Sequence, residues 1–225
     1  MLSPLHGNAT PIFDTFGDFP LADFGGSGIP NEFVAASAQI VDGDTTITIA
    51  LSAAQRFSAP TVTNDGAGTF FATAGTSSDG ASLWNFNSFI SVSSPTSSPI
   101  LTDFQFDLFY DFDPAEDNAL STFGQIDITN SVALGIDPTV PVDTTILQGS
   151  QNSTFAFLSI PAPGLITPPA AIFDPDVEGE YTFVITVSNS LGFPIEVVAI
   201  DVVIPEPAGL TLLGVGGLAL LRRRR

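Results

Sequence analysis

The chain has 225 residues, 24 of them Asp or Glu and 5 Lys or Arg, for a net charge of −19. That length fits one all-β domain or two small ones, and 20 Phe in a 44% hydrophobic composition supply a core, which excludes a disordered acidic polymer. A field of this sign repels phosphate and argues against nucleic acid as a partner; no Cys and a single His leave no disulfide framework and almost no material for zinc or Ser–His–acid chemistry.

Residues 1–9 are polar and hold that one histidine, His6, which reads as a solvated residue. They are expected to be a remnant or a misplaced start. An export leader needs a basic beginning and about 7–15 apolar residues, and Met1 to Thr10 has neither. Residues 10–204 then read as one domain of short strands. Expected strands are 33–40, 44–51, 69–74, 83–92, 123–129, 142–148 and 153–159, separated by Gly, Pro, Asn, Asp and Ser clusters. Asp42-Gly43-Asp44 between the first two reads as a hairpin turn. Arg56 is the one base before Arg222. Trp84 and Phe86 are expected to pack in the core, as is Tyr110.

The plainest strand signal lies at 103–112. Phe104, Phe106, Leu108, Tyr110 and Phe112 point one way, and Asp103, Gln105, Asp107 and Asp111 the other, with Phe109 the exception. Alternation with period two marks a strand with one wet face. Tyr181, Phe183, Ile185 and Val187 repeat the pattern, residues 188–194 turn, and 195–204 return. Residues 161–175 read as a proline-rich loop, and no stretch of the body carries a helical period. The expected fold is all-β: an antiparallel β-sandwich, jelly-roll-like in one arrangement, followed by a short C-terminal hydrophobic helix.

That helix belongs to residues 205–225. Pro205-Glu206-Pro207 precedes AGLTLLGVGGLALL, an uncharged run from Ala208 to Leu221, and Arg222, Arg223, Arg224 and Arg225 follow it. As a helix the run would be about 21 Å long, shorter than a hydrocarbon core of about 30 Å. Leu210, Leu212, Leu213, Leu218, Leu220 and Leu221 favour insertion. Arginine snorkelling or local thinning of the bilayer makes up the length. The arginines should stay cytoplasmic, which puts the acidic body on the outer side.

Pro205-Glu206-Pro207, the apolar run and Arg222 to Arg225 resemble the PEP-CTERM protein-sorting signal of Gram-negative bacteria. The body is similar to one type of PEP-CTERM protein of unassigned function. That similarity rests on ATPIFDTFG (Ala9 to Gly17), GGSGIPNEFVA (Gly25 to Ala35), VDGDTTITIALSA (Val41 to Ala53), TNDGAGTFFA (Thr63 to Ala72), WNFN (Trp84 to Asn87), DLFYDFDPA (Asp107 to Ala115) and FDPDVEGEYTF (Phe173 to Phe183). The resemblance implies exosortase, a membrane-embedded cysteine transpeptidase, as the partner that recognises Pro205-Glu206-Pro207 and removes the tail. It implies export, a transient anchor in the inner membrane, and then the cell surface or extracellular matrix. It brings no catalytic residues.

Other readings stay open beside that one. Asp111, Asp113, Glu116 and Asp117 crowd one loop, and Asp174, Asp176, Glu178 and Gly179 fill the first, third, fifth and sixth places of a calcium loop. The twelfth place is Ile185 rather than Glu. Both clusters read first as solvated turns, and Ca2+ is the cation their oxygens would take. Trp84, Phe86 or Tyr110 exposed in a row would instead make a polysaccharide-binding module, and two acids converging in a cleft would make a secreted glycoside hydrolase. Asn8-Ala-Thr10 and Asn152-Ser-Thr154 match the N-glycosylation acceptor pattern.

Overall fold

A computed structural model describes residues 11–23, 34–116 and 118–206. Two sheets face each other. The first has five strands in the order β1 (Thr15–Asp18), β2 (Val34–Asp42), β3 (Thr45–Gln55), β6 (Trp84–Ser93) and β9 (Ile146–Gln151). The second has seven, in the order β10 (Ile166–Thr167), β8 (Gly124–Asp127), β7 (Gln105–Tyr110), β11 (Gly179–Ser188), β12 (Pro194–Ile204), β5 (Thr69–Phe71) and β4 (Thr63–Asn64). Each neighbouring pair is antiparallel except β12 and β5, which run parallel. The fold is the β-sandwich that the alternation predicts.

The strand expected at 103–112 is β7, confined to Gln105–Tyr110; the face expected to be wet is half-buried, and Asp111 just beyond it is buried. Phe106, Leu108 and Tyr110 are buried between the sheets, while Gln105, Asp107 and Phe109 are half-buried on the other face. Phe109, the exception in the pattern, packs beside Phe123, Val184 and Ala199 in a small cluster on that outer face. β11 is the middle strand of its sheet and is buried on both faces from Tyr181 to Ile185. The sheets meet through aromatic rings. Phe86 stacks on Phe183 with centroids 4.4 Å apart, and Trp84 meets Phe183 edge-on at 6.0 Å. Pairs of this kind add about 0.5–1.5 kcal/mol each to the burial itself.

Turn chemistry closes the strands where the sequence places it. Gly43, at φ 66°, and Asp44 join β2 to β3, with Asp42 paired to Thr45 across the hairpin. Four expectations need correction. Residues 153–159 form no strand: Thr154 N–H and Oγ1–H both bond Asn152 Oδ1, which starts a turn, and Ala156–Ser159 is a 3-10 helix. The strand expected at 142–148 begins later, at Ile146. The body does contain a helix, α1 (Ile128–Ala133), capped by the Asp127 carboxylate, which accepts from Asn130 N–H at 2.8 Å, and ended by Gly135 at φ 59°. The proline-rich loop carries the short strand β10.

The remnant 1–9, the apolar run with its predicted helix, and Pro207 to Arg225 as a whole lie outside the described residues, as does Asp117. Among the described residues no helix is long and apolar enough to cross a membrane.

Candidate functional site at one end of the sandwich

Strand direction decides what gathers at this end. β7 and β12 finish there and β11 begins there, because both are antiparallel to β11. Tyr110 therefore lies beside Phe183, and Ile204 beside Gly179. The loop after β7, the loop before β11 and the exit from β12 are brought together. Both acidic clusters singled out in the sequence lie on these loops.

Three of these carboxylates, Asp111, Asp113 and Asp174, are engaged in holding their loops. Asp111 is buried; its Oδ1 accepts from Asp113 N–H at 2.9 Å and its Oδ2 from Asn118 Nδ2–H at 2.8 Å. Asn118 also donates to the carbonyls of Asp113 and Ala115. Asp113 Oδ1 accepts from Ala115 N–H, and Asp174 Oδ1 from Asp176 N–H. These are the turn-forming bonds that Asp side chains make with the backbone two residues on. Gly179 locks the two loops: a Cβ there would stand 2.4 Å from Pro114 Cβ and Pro114 O, and Glu180 N–H donates to Pro114 O.

The charges are felt by neighbours. Burial, then the Asn118 and Asp113 contacts opposing it, leave the Asp111 carboxyl above its usual range, with the Asp113 charge adding to the rise. Tyr181, whose hydroxyl donates to Val177 O, is pushed up to about 12 by burial first and then by the carboxylates of Asp174, Asp111 and Asp113. The charges of Asp174, Asp111 and Asp113 thus all reach one phenol. Among the described residues no group of three or more His, Cys, Asp or Glu is arranged to hold a metal ion. Asp176 and Glu178 sit on the same loop as Asp174, and Asp117 cannot be placed among them.

The chain leaves the sandwich at this acidic end. β12 stops at Ile204, and Pro205 and Glu206 are exposed. Proline cannot donate to a ladder, so it ends the pairing there. A shallow depression of about 340 Å3 beside the exit is lined by Pro114, Glu116, Glu178, Glu180, Pro205 and Glu206, among others. Among the described residues, four glutamates and no base face it.

Two sequence readings are settled by burial. Trp84, Phe86 and Tyr110 are buried in the core, so they form no exposed sugar platform. Asn152 is fully buried and its amide is engaged on both sides, so it is no glycosylation acceptor; Asn8 lies outside the described residues. The sequence singled out Arg56 only for its charge, and Phe57, Ser77 and Asp79 not at all. They stand at this same end, since Gly75 N–H donates to Pro175 O at 2.7 Å. No family model, curated protein or solved structure matches the chain.

Proposed function

We propose that the chain is an exported, exosortase-sorted, non-enzymatic protein of the bacterial surface or extracellular matrix. The observation that carries this reading is the order of three chemistries in residues 205–225: Pro205-Glu206-Pro207, an uncharged apolar run with Ala208 and six leucines, and four arginines. Each does a separate job. The run from Ala208 to Leu221 holds the chain in the inner membrane, Arg222 to Arg225 stop transfer by staying cytoplasmic, and the two prolines keep Glu206 on extended backbone suited to a transpeptidase cleft.

What supports the reading from the folded body is where that segment starts. Ile204 is the last residue of a paired strand, and Pro205 and Glu206 are already exposed beyond it. A processing enzyme would reach them without opening the sandwich. The acidic surface around the exit carries a charge that repels anionic lipid headgroups, which keeps the body off the bilayer while the tail is held in it.

The test is expression of the full chain, behind a secretion leader, in a host with an exosortase and in the same host lacking it. The expected result is a carboxyl terminus within or next to Pro205-Glu206-Pro207 only where the enzyme is present, and loss of processing in Glu206→Ala. An intact tail on exported protein in both hosts would overturn the proposal.

A further inference from the structure

In a chain of net charge −19, Arg56 is the one cation of the described residues. Its position is built. β3 ends at Gln55, and Arg56 N–H donates to Leu83 O at 2.9 Å, which seats residues 56–60 against the segment leading into β6. That segment folds back on itself: Thr76 bridges Ser82, Ser77 N–H donates to Ala81 O at 2.8 Å, and Gly80 turns at φ 81°. Asp79 at the tip accepts from Arg56 Nη2 at 2.8 Å. The Arg56 side chain is only 11% exposed, against 54% for Asp79.

Two features of this corner are left over by the fold. A guanidinium has about five N–H donors, and the bond to Asp79 is the one it makes among the described residues; its Nε is covered and unpartnered. The next residue, Phe57, sits at φ 51°, a left-handed backbone that a bulky side chain seldom adopts. Strain of that kind persists where surroundings over-determine it, and it gathers at binding sites. The strained residue presents an aromatic ring at the surface. Phe57 is 45% exposed, with the Arg56 guanidinium 4.7 Å from its ring centre and the Phe155 ring 5.9 Å from the same guanidinium. Arg56, Phe57, Ser58, Ser77, Ser78 and Asp79 line a depression of about 500 Å3. Ligand pockets span roughly 300–1,000 Å3.

We propose that this depression binds a sugar ring of a neutral polysaccharide. The chemistry selects that class in three steps. Asp79 cancels the charge of Arg56, so the floor is a paired donor and acceptor rather than a cationic patch, and the field of the whole chain repels an anion. Asp79 Oδ1 accepts from Ser77 Oγ–H and Ala81 N–H and its Oδ2 from Arg56 Nη2–H, so vicinal hydroxyls would meet the carboxylate's remaining lone pairs and the Nη donors of Arg56; Ser58 and Ser78 add hydroxyls at the rim. The Phe57 ring gives an apolar surface for the C–H face of a pyranose. The site is independent of the tail, and the sorting proposal stands or falls separately.

The experiment titrates the full chain, held in a detergent without a sugar headgroup, with cellohexaose, maltohexaose, xylohexaose and mannohexaose, and with hexagalacturonate as the anionic comparison. Calorimetry should show saturable binding of at least one neutral hexasaccharide, with Kd between about 1 μM and 1 mM. Phe57→Gly should weaken it at least tenfold, about 1.4 kcal/mol, without lowering Tm, because glycine takes a left-handed φ freely. Asp79→Asn, which keeps the shape but not the pairing, should weaken it as well. The site is overturned if none of the neutral oligosaccharides saturates at about 10 mM, or if binding survives Phe57→Gly unchanged. Tighter binding of hexagalacturonate than of every neutral probe overturns the neutral assignment.

Discussion

Asn152 is the most heavily used polar side chain in the sandwich, and its removal gives a sharp test of the fold. Its Nδ2 donates to Ser82 O at 3.0 Å, Trp84 O at 2.9 Å and Asn85 Oδ1 at 2.7 Å. Its Oδ1 accepts from Ser82 N–H at 3.1 Å, Thr154 N–H at 3.2 Å and Thr154 Oγ1–H at 2.6 Å. In Asn152→Ala, water can reach the half-buried Thr154, but the Ser82 N–H and Asn85 Oδ1 lose their partner inside the protein. Each buried group left unsatisfied costs about 1–3 kcal/mol, so with two of them the variant should lose about 2–6 kcal/mol. For a chain of this size that lowers Tm by about 4–24 °C. Thermal unfolding followed by the fluorescence of Trp84, the one tryptophan, reads the change close to the network. Asn152→Asp keeps the acceptor but turns a carboxylate oxygen toward three oxygens, so it should be less stable than Asn152→Ala at pH 7. Burial and those oxygens raise its folded pKa above the unfolded ~3.9, so the deficit is full above the folded value and shrinks as pH falls toward the unfolded one. An alanine variant melting within about 2 °C of the parent, or an aspartate variant equal to the parent at pH 7, would refute the network as described.

Gly124→Ala places a methyl 2.4 Å from Tyr110 Cζ and 2.8 Å from Pro169 Cδ, and the Tyr110 hydroxyl donates to Leu158 O at 2.7 Å. The ring has no free direction, so the urea midpoint should fall by the equivalent of about 1–3 kcal/mol. Asp107 lies half-buried on the outer face of β7, where burial first and then the Asp127 charge lift its carboxyl above the usual range, against the bonds from Gln125 and Gln105. A raised folded pKa means stability that is present below the unfolded value and lost as pH rises through the folded one. Asp107→Asn should therefore be more stable than the parent at pH 7, by urea unfolding, with the gain gone at pH 3.

β7 and β11 were legible because the period two of their core-facing residues is written directly in the sequence, although the face opposite the core is half-buried in β7 and buried through the middle of β11. β7 and β11 needed no partner to be recognised. What the pattern could not carry was pairing. Ile200 and Val202 of β12 read as half of a hairpin with β11, which they are, but nothing in Thr69-Phe70-Phe71 announces a parallel ladder to the other side of that strand. Short elements failed for a related reason. α1 has six residues, too few for a period of 3.6 to repeat, and only its cap at Asp127 and its stop at Gly135 betray it. Residues 155–158, Phe-Ala-Phe-Leu, look like a strand until the Asn152 side chain is seen turning the chain just before them.

The end of the sandwich that carries both proposals was hidden in the same way. Its residues come from segments near 56, 79, 111, 155, 174 and 205, and only the neighbouring of β3 with β6, β6 with β9 and β11 with its two partners makes them one place. Composition still held a pointer. A surface this acidic gains solubility from its charge and has no need of one arginine on the body. That arginine is almost wholly covered and carries a strained aromatic next to it, which is poor use of a residue whose only task is to bridge two loops: a serine or an asparagine at either loop would hold the turn without desolvating a cation. The arrangement makes physical sense when the Nη donors that are not covered have a task, and in a field that repels anions the acceptors they meet belong to a neutral molecule.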